Sequence, residues 1–156
     1  MRWKMYSKKV MNLFLHPKNM GDMKDADGVG KVGNPICGDV MWIFIKVKNI
    51  KNKLIIKDIK FKTLGCAAAI ATSSKVTELA KGKTISEALK ISKKDVADAL
   101  GGLPAVKFHC SLLATDGLSE AIYNYFKKNK IAITETLEKT HQRILKEFSE
   151  IEKRKH

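Results

Sequence analysis

Three cysteines, Cys37, Cys66 and Cys110, dominate the chemistry available to this 156-residue chain, with Asp39 two positions after the first and His109 directly before the third. Cys37 lies in the segment Gly33-Asn-Pro-Ile-Cys-Gly-Asp39. Pro35 restricts the backbone, Gly38 admits a close approach, and Asp39 adds a hard oxygen donor beside a soft sulfur. Cys66 follows Gly65 where an extended pattern gives way to a helical one, and Cys110 stands at the start of a long helical pattern. Unpaired amide N–H groups and the positive end of the helix dipole favour thiolate over thiol at both places, and Lys107 adds a further positive charge. Three thiolates and one harder donor suit a tetrahedral zinc site. They suit equally an iron–sulfur centre in which one of four thiolates is replaced. Carboxylate or imidazole in the fourth place gives a more open site than four thiolates, as a site that releases its cargo requires. The spacings are too long for a zinc knuckle, so the fold must gather the ligands.

Other chemistries find less support. His109 next to Cys110 suggests a base and a nucleophile, but no third group orients the imidazole. A persulfide-carrying thiol survives that objection, so a zinc-dependent sulfurtransferase stands as the alternative function. The glycine-rich run Gly28-Val-Gly-Lys-Val-Gly33 lacks the Gly-Lys-Ser/Thr ending of a phosphate-binding loop and precedes a strand rather than a helix. His16 and His141 read as surface or packing residues.

The elements that must position the cysteines follow from periodicity. Tyr6, Val10, Leu13 and Phe14 recur at helical spacing behind a capping Ser7, and His16-Pro17 ends that helix. A short strand is expected around 29–32. Branched and aromatic residues predict strands over 40–48 and 54–61, joined at Asn49–Asn52 as an antiparallel hairpin. Beyond Gly65 the pattern is helical. Thr84 with Glu87, and Ser92 with Asp95, have capping-box spacing, Gly101-Gly102 ends a short helix, and an apolar face resumes near Cys110. Leu137, His141, Ile144, Phe148 and Ile151 form one stripe of a final helix. The order of elements predicts an α+β fold, a small antiparallel sheet of about three strands with helices packed on one face. Residues 1–130 form the main domain, and 131–156 an amphipathic helix docked on it.

The formal charge is +14, from 30 Lys plus Arg against 16 Asp plus Glu. Such an excess attracts acidic partners. Arginine occurs only at Arg2, Arg143 and Arg154 among many lysines, so no specific nucleic-acid binding is expected. The N-terminus has no apolar run of a signal peptide, and no apolar stretch is long enough for a membrane span. An odd number of thiols fits a reducing, cytoplasmic setting.

Five stretches carry a family resemblance: Tyr6-Ser-Lys-Lys-Val-Met11, His16-Pro-Lys-Asn-Met-Gly21, Val32-Gly-Asn-Pro-Ile-Cys-Gly-Asp39, Phe61-Lys-Thr-Leu-Gly-Cys-Ala-Ala-Ala-Ile-Ala-Thr-Ser-Ser74 and Leu103-Pro-Ala-Val-Lys-Phe-His-Cys-Ser111. In order, they resemble the iron–sulfur cluster assembly scaffolds, the IscU proteins and the N-terminal domain of NifU proteins. The resemblance implies a non-enzymatic scaffold on which a [2Fe–2S] cluster is built from iron and desulfurase-derived sulfur, then passed to apo iron–sulfur proteins. It makes Cys37, Cys66 and Cys110 cluster or metal ligands, Asp39 the fourth ligand or the residue governing release, and His109 an alternating ligand. Cys110 becomes the sulfur acceptor, and zinc an ion the same residues also hold. Leu103, Pro104, Ala105, Val106 and Lys107 resemble the recognition segment for an Hsp70-type chaperone with its J-protein. Ala67-Ala68 and Ala105 depart from the Gly-Ser and the second proline usual there. The absence of a long insertion between Cys66 and Cys110 argues against the zinc-dependent sulfur-acceptor branch. A monomer or a cluster-bridged dimer is implied.

Overall fold

A hairpin of long strands organises the molecule. In the computed structural model, which describes residues 6–33 and 40–154, strand β2 (Val40–Ile50) turns at Lys51 and Asn52 into β3 (Lys53–Thr63). Both turn residues have positive φ, 52° and 65°, so the two-residue turn takes the twist that suits right-handed strands. The third strand, β1 (Gly28–Gly33), pairs antiparallel with β2 and completes a sheet of order β1-β2-β3. All three strands match their expected positions, with β2 and β3 each extending beyond the run of branched residues.

Among the described residues six α-helices accompany the sheet. Helix α1 (Lys8–Leu15) is capped by the Ser7 hydroxyl, which accepts from the Val10 amide, and ends at His16. Helix α2 (Ala67–Ala80) follows β3 directly. Helices α3 (Ile85–Leu89) and α4 (Lys93–Ala99) each begin in a complete capping box, Thr84 with Glu87 and Ser92 with Asp95, as their spacing predicts. A 3-10 turn (Ala105–Lys107) then leads into α5 (His109–Lys128), and α6 (Glu135–Arg154) closes the chain. The inner face of the sheet presents Met41, Ile43, Ile45, Ile56, Ile59 and Phe61, all completely buried against Val76, Leu118 and Ile122 of the helices and their neighbours. The architecture is the expected α+β arrangement.

Two contacts set the geometry. The first lies between β1 and α5, whose backbones meet at Gly28, Gly30 and Gly117. A β-carbon on Gly30 would overlap the carbonyl oxygen of Gly117, one on Gly28 would overlap that of Ala121, and one on Gly117 would fall 3.1 Å from the Ile43 side chain. The glycine-rich run therefore serves close packing, while Asn124 of α5 accepts from the Val29 amide at 3.0 Å. In the second contact, α6 docks on α5 through charge. Arg143 donates to both carboxylate oxygens of Asp116, at 2.7 and 3.0 Å, and Asp116 is 6% exposed. His141 stacks on Tyr123 with ring centroids 3.7 Å apart and meets Glu120 at 2.8 Å, so it is a packing residue of this interface. Burial pushes the Asp116 and Glu120 carboxyls up, and Arg143 and His141, respectively, oppose that shift.

Gly30→Ala should lower unfolding stability by about 3 kcal/mol, since overpacking against backbone has little room to relax. Urea denaturation measures the loss; an unchanged midpoint would contradict the close contact.

Candidate functional site

The site lies where two helices begin. Cys66 is the residue before α2, with extended dihedrals of φ −77° and ψ −177°, and its carbonyl accepts from the Ile70 amide at 3.0 Å. Phe108, before α5, supplies no side-chain cap either. A helix start with no capping side chain keeps its first amides available to other acceptors, and at the start of α2 the amides of Ala68 and Ala69 face the Cys66 sulfur.

Tertiary packing of α2 against α5 brings Cys66 and Cys110 together. The Cys110 thiol hydrogen-bonds to the Cys66 sulfur, and this contact is the largest of the influences that pull the Cys66 thiol from its ordinary value of 9.0 down to about 5. Burial opposes the shift, and the amides of Ala69 and Ala68 assist it without closing a capping hydrogen bond. The Lys107 ammonium donates to the Cys66 sulfur at 3.7 Å, and the thiolate in turn raises the lysine. Cys66 at neutral pH is therefore a thiolate, half-buried, held by one thiol and one ammonium. Cys110 is completely buried.

The expected site residues divide accordingly. Cys66, Cys110 and Lys107 converge. Cys37 and Asp39 lie outside the described residues. His109 opens α5 and is partly exposed, but among the described residues no three His, Cys, Asp or Glu side chains gather closely enough to hold a metal ion. Of the segment 103–107, Leu103 and Pro104 are half-buried and Ala105 is exposed.

Two features escaped sequence reasoning. Tyr6 stands within electrostatic range of Cys66, Lys107 and Cys110, and burial followed by the Cys66 charge raises its phenol. Its apolar spacing in the first helical pattern had marked it only as a packing residue. Ser111, next to Cys110, is fully buried, and its hydroxyl is the one buried side-chain polar atom among the described residues without a hydrogen-bond partner. Nothing in local sequence signals either position.

Comparison with known proteins gives one consistent result. The family model for the NifU-like N terminal domain matches residues 5–132. The iron-sulfur cluster assembly scaffold protein IscU 1 of Archaeoglobus fulgidus is 63% identical over 125 residues, covering 80% of this chain and 79% of the relative. The corresponding IscU of Aquifex aeolicus is 50% identical over 123 residues, covering 79% and 77%. A solved structure of a SUF-system protein from Fervidobacterium islandicum AW-1 shares the fold, with a TM-score of 0.62 at 24% identity, covering 76% of this chain and 97% of that one.

Alkylation of Cys66 by iodoacetamide, mapped peptide by peptide, should show a pH midpoint of about 5. Below that midpoint the thiol is protonated and unreactive; above it the thiolate reacts. Cys110→Ala should move the midpoint up toward the ordinary 9.0, and Lys107→Ala should raise it less. A wild-type midpoint near 9.0 would remove the thiolate from this account.

Proposed function

The chain belongs to the family of NifU-like N-terminal domains and is an iron–sulfur cluster assembly scaffold, and we propose that its cargo is a [2Fe–2S] cluster held by Cys37, Cys66 and Cys110. Asp39 is the fourth ligand in this reading, and His109 the ligand that alternates with it. The single observation that carries the reading is the half-buried Cys66 thiolate, one hydrogen bond from Cys110 and beside Lys107. Soft thiolates match iron and sulfide, and a single carboxylate in the fourth place weakens the hold. The names of the matched relatives favour a scaffold over a zinc-dependent sulfurtransferase. Zinc suits the same thiolates and would compete for them.

Sulfur comes from a cysteine desulfurase, and Cys110 is the acceptor in this reading. Cys110 is fully buried, so in this reading delivery requires the site to open around it, and the 3-10 turn lies directly ahead of its helix. That turn belongs to the segment Leu103, Pro104, Ala105, Val106 and Lys107, the proposed grip of an Hsp70-type chaperone. A partner that seized the segment would draw the Lys107 ammonium away from the Cys66 sulfur and loosen the site. Apo iron–sulfur proteins of the cytoplasm receive the cluster from a monomer or a cluster-bridged dimer. Among the described residues no helix is long and apolar enough to cross a membrane.

Anaerobic reconstitution with ferrous iron, sulfide and thiol should give the visible absorption of a [2Fe–2S] cluster that transfers to an apo-ferredoxin. Tight retention of zinc with no transferable cluster would sink the proposal. Cys66→Ser should abolish assembly, whereas Asp39→Ala should lengthen the lifetime of the cluster; a shorter lifetime would overturn the role given to Asp39.

A further inference from the structure

The outer face of the sheet is built for something other than water. Strand alternation sends Met41, Ile43 and Ile45 inward to complete burial and places Val40, Trp42 and Phe44 on the opposite face, each partly exposed. An outer face of an antiparallel sheet ordinarily carries polar residues, so an apolar column along its central strand is a departure. The neighbouring strands add charge to it. Register places Lys31 of β1 and Lys62 of β3 on either side of Trp42, and Val29 and Lys60 on either side of Phe44. The ammonium of Lys31 stands 5.7 Å from the Trp42 ring centroid and that of Lys62 5.8 Å, each a cation–π contact.

The column continues to the functional site. At its end Val40 accepts from the Leu64 amide at 3.2 Å, and Leu64, two residues before Cys66, is 76% exposed. The face is thus an apolar strip from Phe44 to Leu64 between lysine rails, Lys31 on one side and Lys60 and Lys62 on the other, ending two residues before Cys66. Exposed carboxylates of Asp22 and Asp25 pair with Lys62 and Lys46 at the margin, at 3.7 and 2.8 Å, contacts that an incoming acidic group would replace or extend.

We propose that this outer sheet face, centred on Trp42 between Lys31 and Lys62, is the docking surface for an acidic apoprotein that receives the cluster. An aromatic centre inside a charged rim matches the anatomy of a protein interface, and the charge calls for carboxylates on the partner. A second copy of this chain is disfavoured, because a self-contact would set lysine rails against lysine rails in a chain of net charge +14. Single-stranded nucleic acid also uses aromatic rings flanked by cations, and the oligo(dT) arm of the test separates it from a protein partner. The inference rests on the scaffold reading and names the kind of partner that reading leaves open.

The test uses the full chain loaded with cluster and the apo form of a strongly acidic [2Fe–2S] ferredoxin. The double variant Lys31→Glu/Lys62→Glu should slow transfer about tenfold at moderate salt, with cluster loading unchanged. Lys139→Glu/Lys146→Glu on the exposed side of α6 changes net charge equally and should slow transfer by less than about twofold. Trp42→Ala should cost about tenfold with a smaller dependence on salt, provided its melting curve stays cooperative. Equal effects of the two double variants, or no effect of the first, would overturn the docking surface. So would binding of an oligo(dT) probe that the Lys31/Lys62 variant abolishes while transfer continues at the wild-type rate. Wild-type protein that loads no cluster would count against the scaffold reading alone. Direct binding of the apo-ferredoxin, read by Trp42 fluorescence in a Trp3→Phe background, then decides the surface independently, and loss of that binding in Lys31→Glu/Lys62→Glu supports it.

Discussion

The close approach of β1 to α5 is the constraint on which the rest depends. Gly28, Gly30 and Gly117 allow a helix backbone to lie against a strand backbone with no side chain between them. This depth of contact sets the height of α5 over the sheet, and with it the position of Cys110 in the first turn of that helix. A single β-carbon at Gly30 would meet peptide groups that cannot yield. Hydrophobic burial of Ile43, Ile45 and Ile59 supplies the driving force, but burial is non-directional and would accept several helix positions. The glycines select one of them.

That position has an electrostatic consequence. α2 begins where β3 ends, so Cys66 is tied to the end of the sheet, and α5 delivers Cys110 to the same place. The start of α2 offers the amides of Ala68 and Ala69, but the thiol of Cys110 outweighs them in stabilising the Cys66 thiolate. The thiolate is then a product of tertiary packing more than of local helix geometry. Lys107 belongs both to the segment preceding α5 and to the immediate surroundings of the sulfur, which links the conformation of the turn to the charge at the site. On the other side of α5, the Asp116–Arg143 and Glu120–His141 pairs hold α6 in place. Removing either Arg143 or His141 would leave a buried carboxyl group without its partner, so the helix that bears them is specified as well as held.

Much of the fold was legible because its signals are local. Ser7, Thr84 with Glu87, and Ser92 with Asp95 announce helix starts through side-chain hydrogen bonds to amides two or three residues away, and all are formed. Alternation in 40–48 and 54–61 marks which face each residue of the hairpin occupies. The glycine-rich run 28–33 showed what it is not, a phosphate loop, but gave no sign that its purpose is contact with α5, where Gly30 meets Gly117 across 87 positions of sequence. Sequence left His141 as a surface or packing residue, and the structure makes it packing, because its partners Tyr123 and Glu120 lie on another helix and have no local signature.

The sequence by itself determined the ligand candidates, the elements that carry them and the family, because residue type, periodicity and motif order are properties of the chain. It placed Cys66 and Cys110 at element boundaries, where helix amides favour thiolate. Only the tertiary structure decided that Cys66 is the ionised, half-buried thiolate and Cys110 the buried donor, since that division depends on which sulfur is nearer solvent and which groups surround it. It also decided that Lys107 serves Cys66 and that Tyr6 stands within electrostatic range of both sulfurs. Trp42 and its lysine rails likewise become a surface only when three strands are set in register, because the interactions that matter there cross from strand to strand.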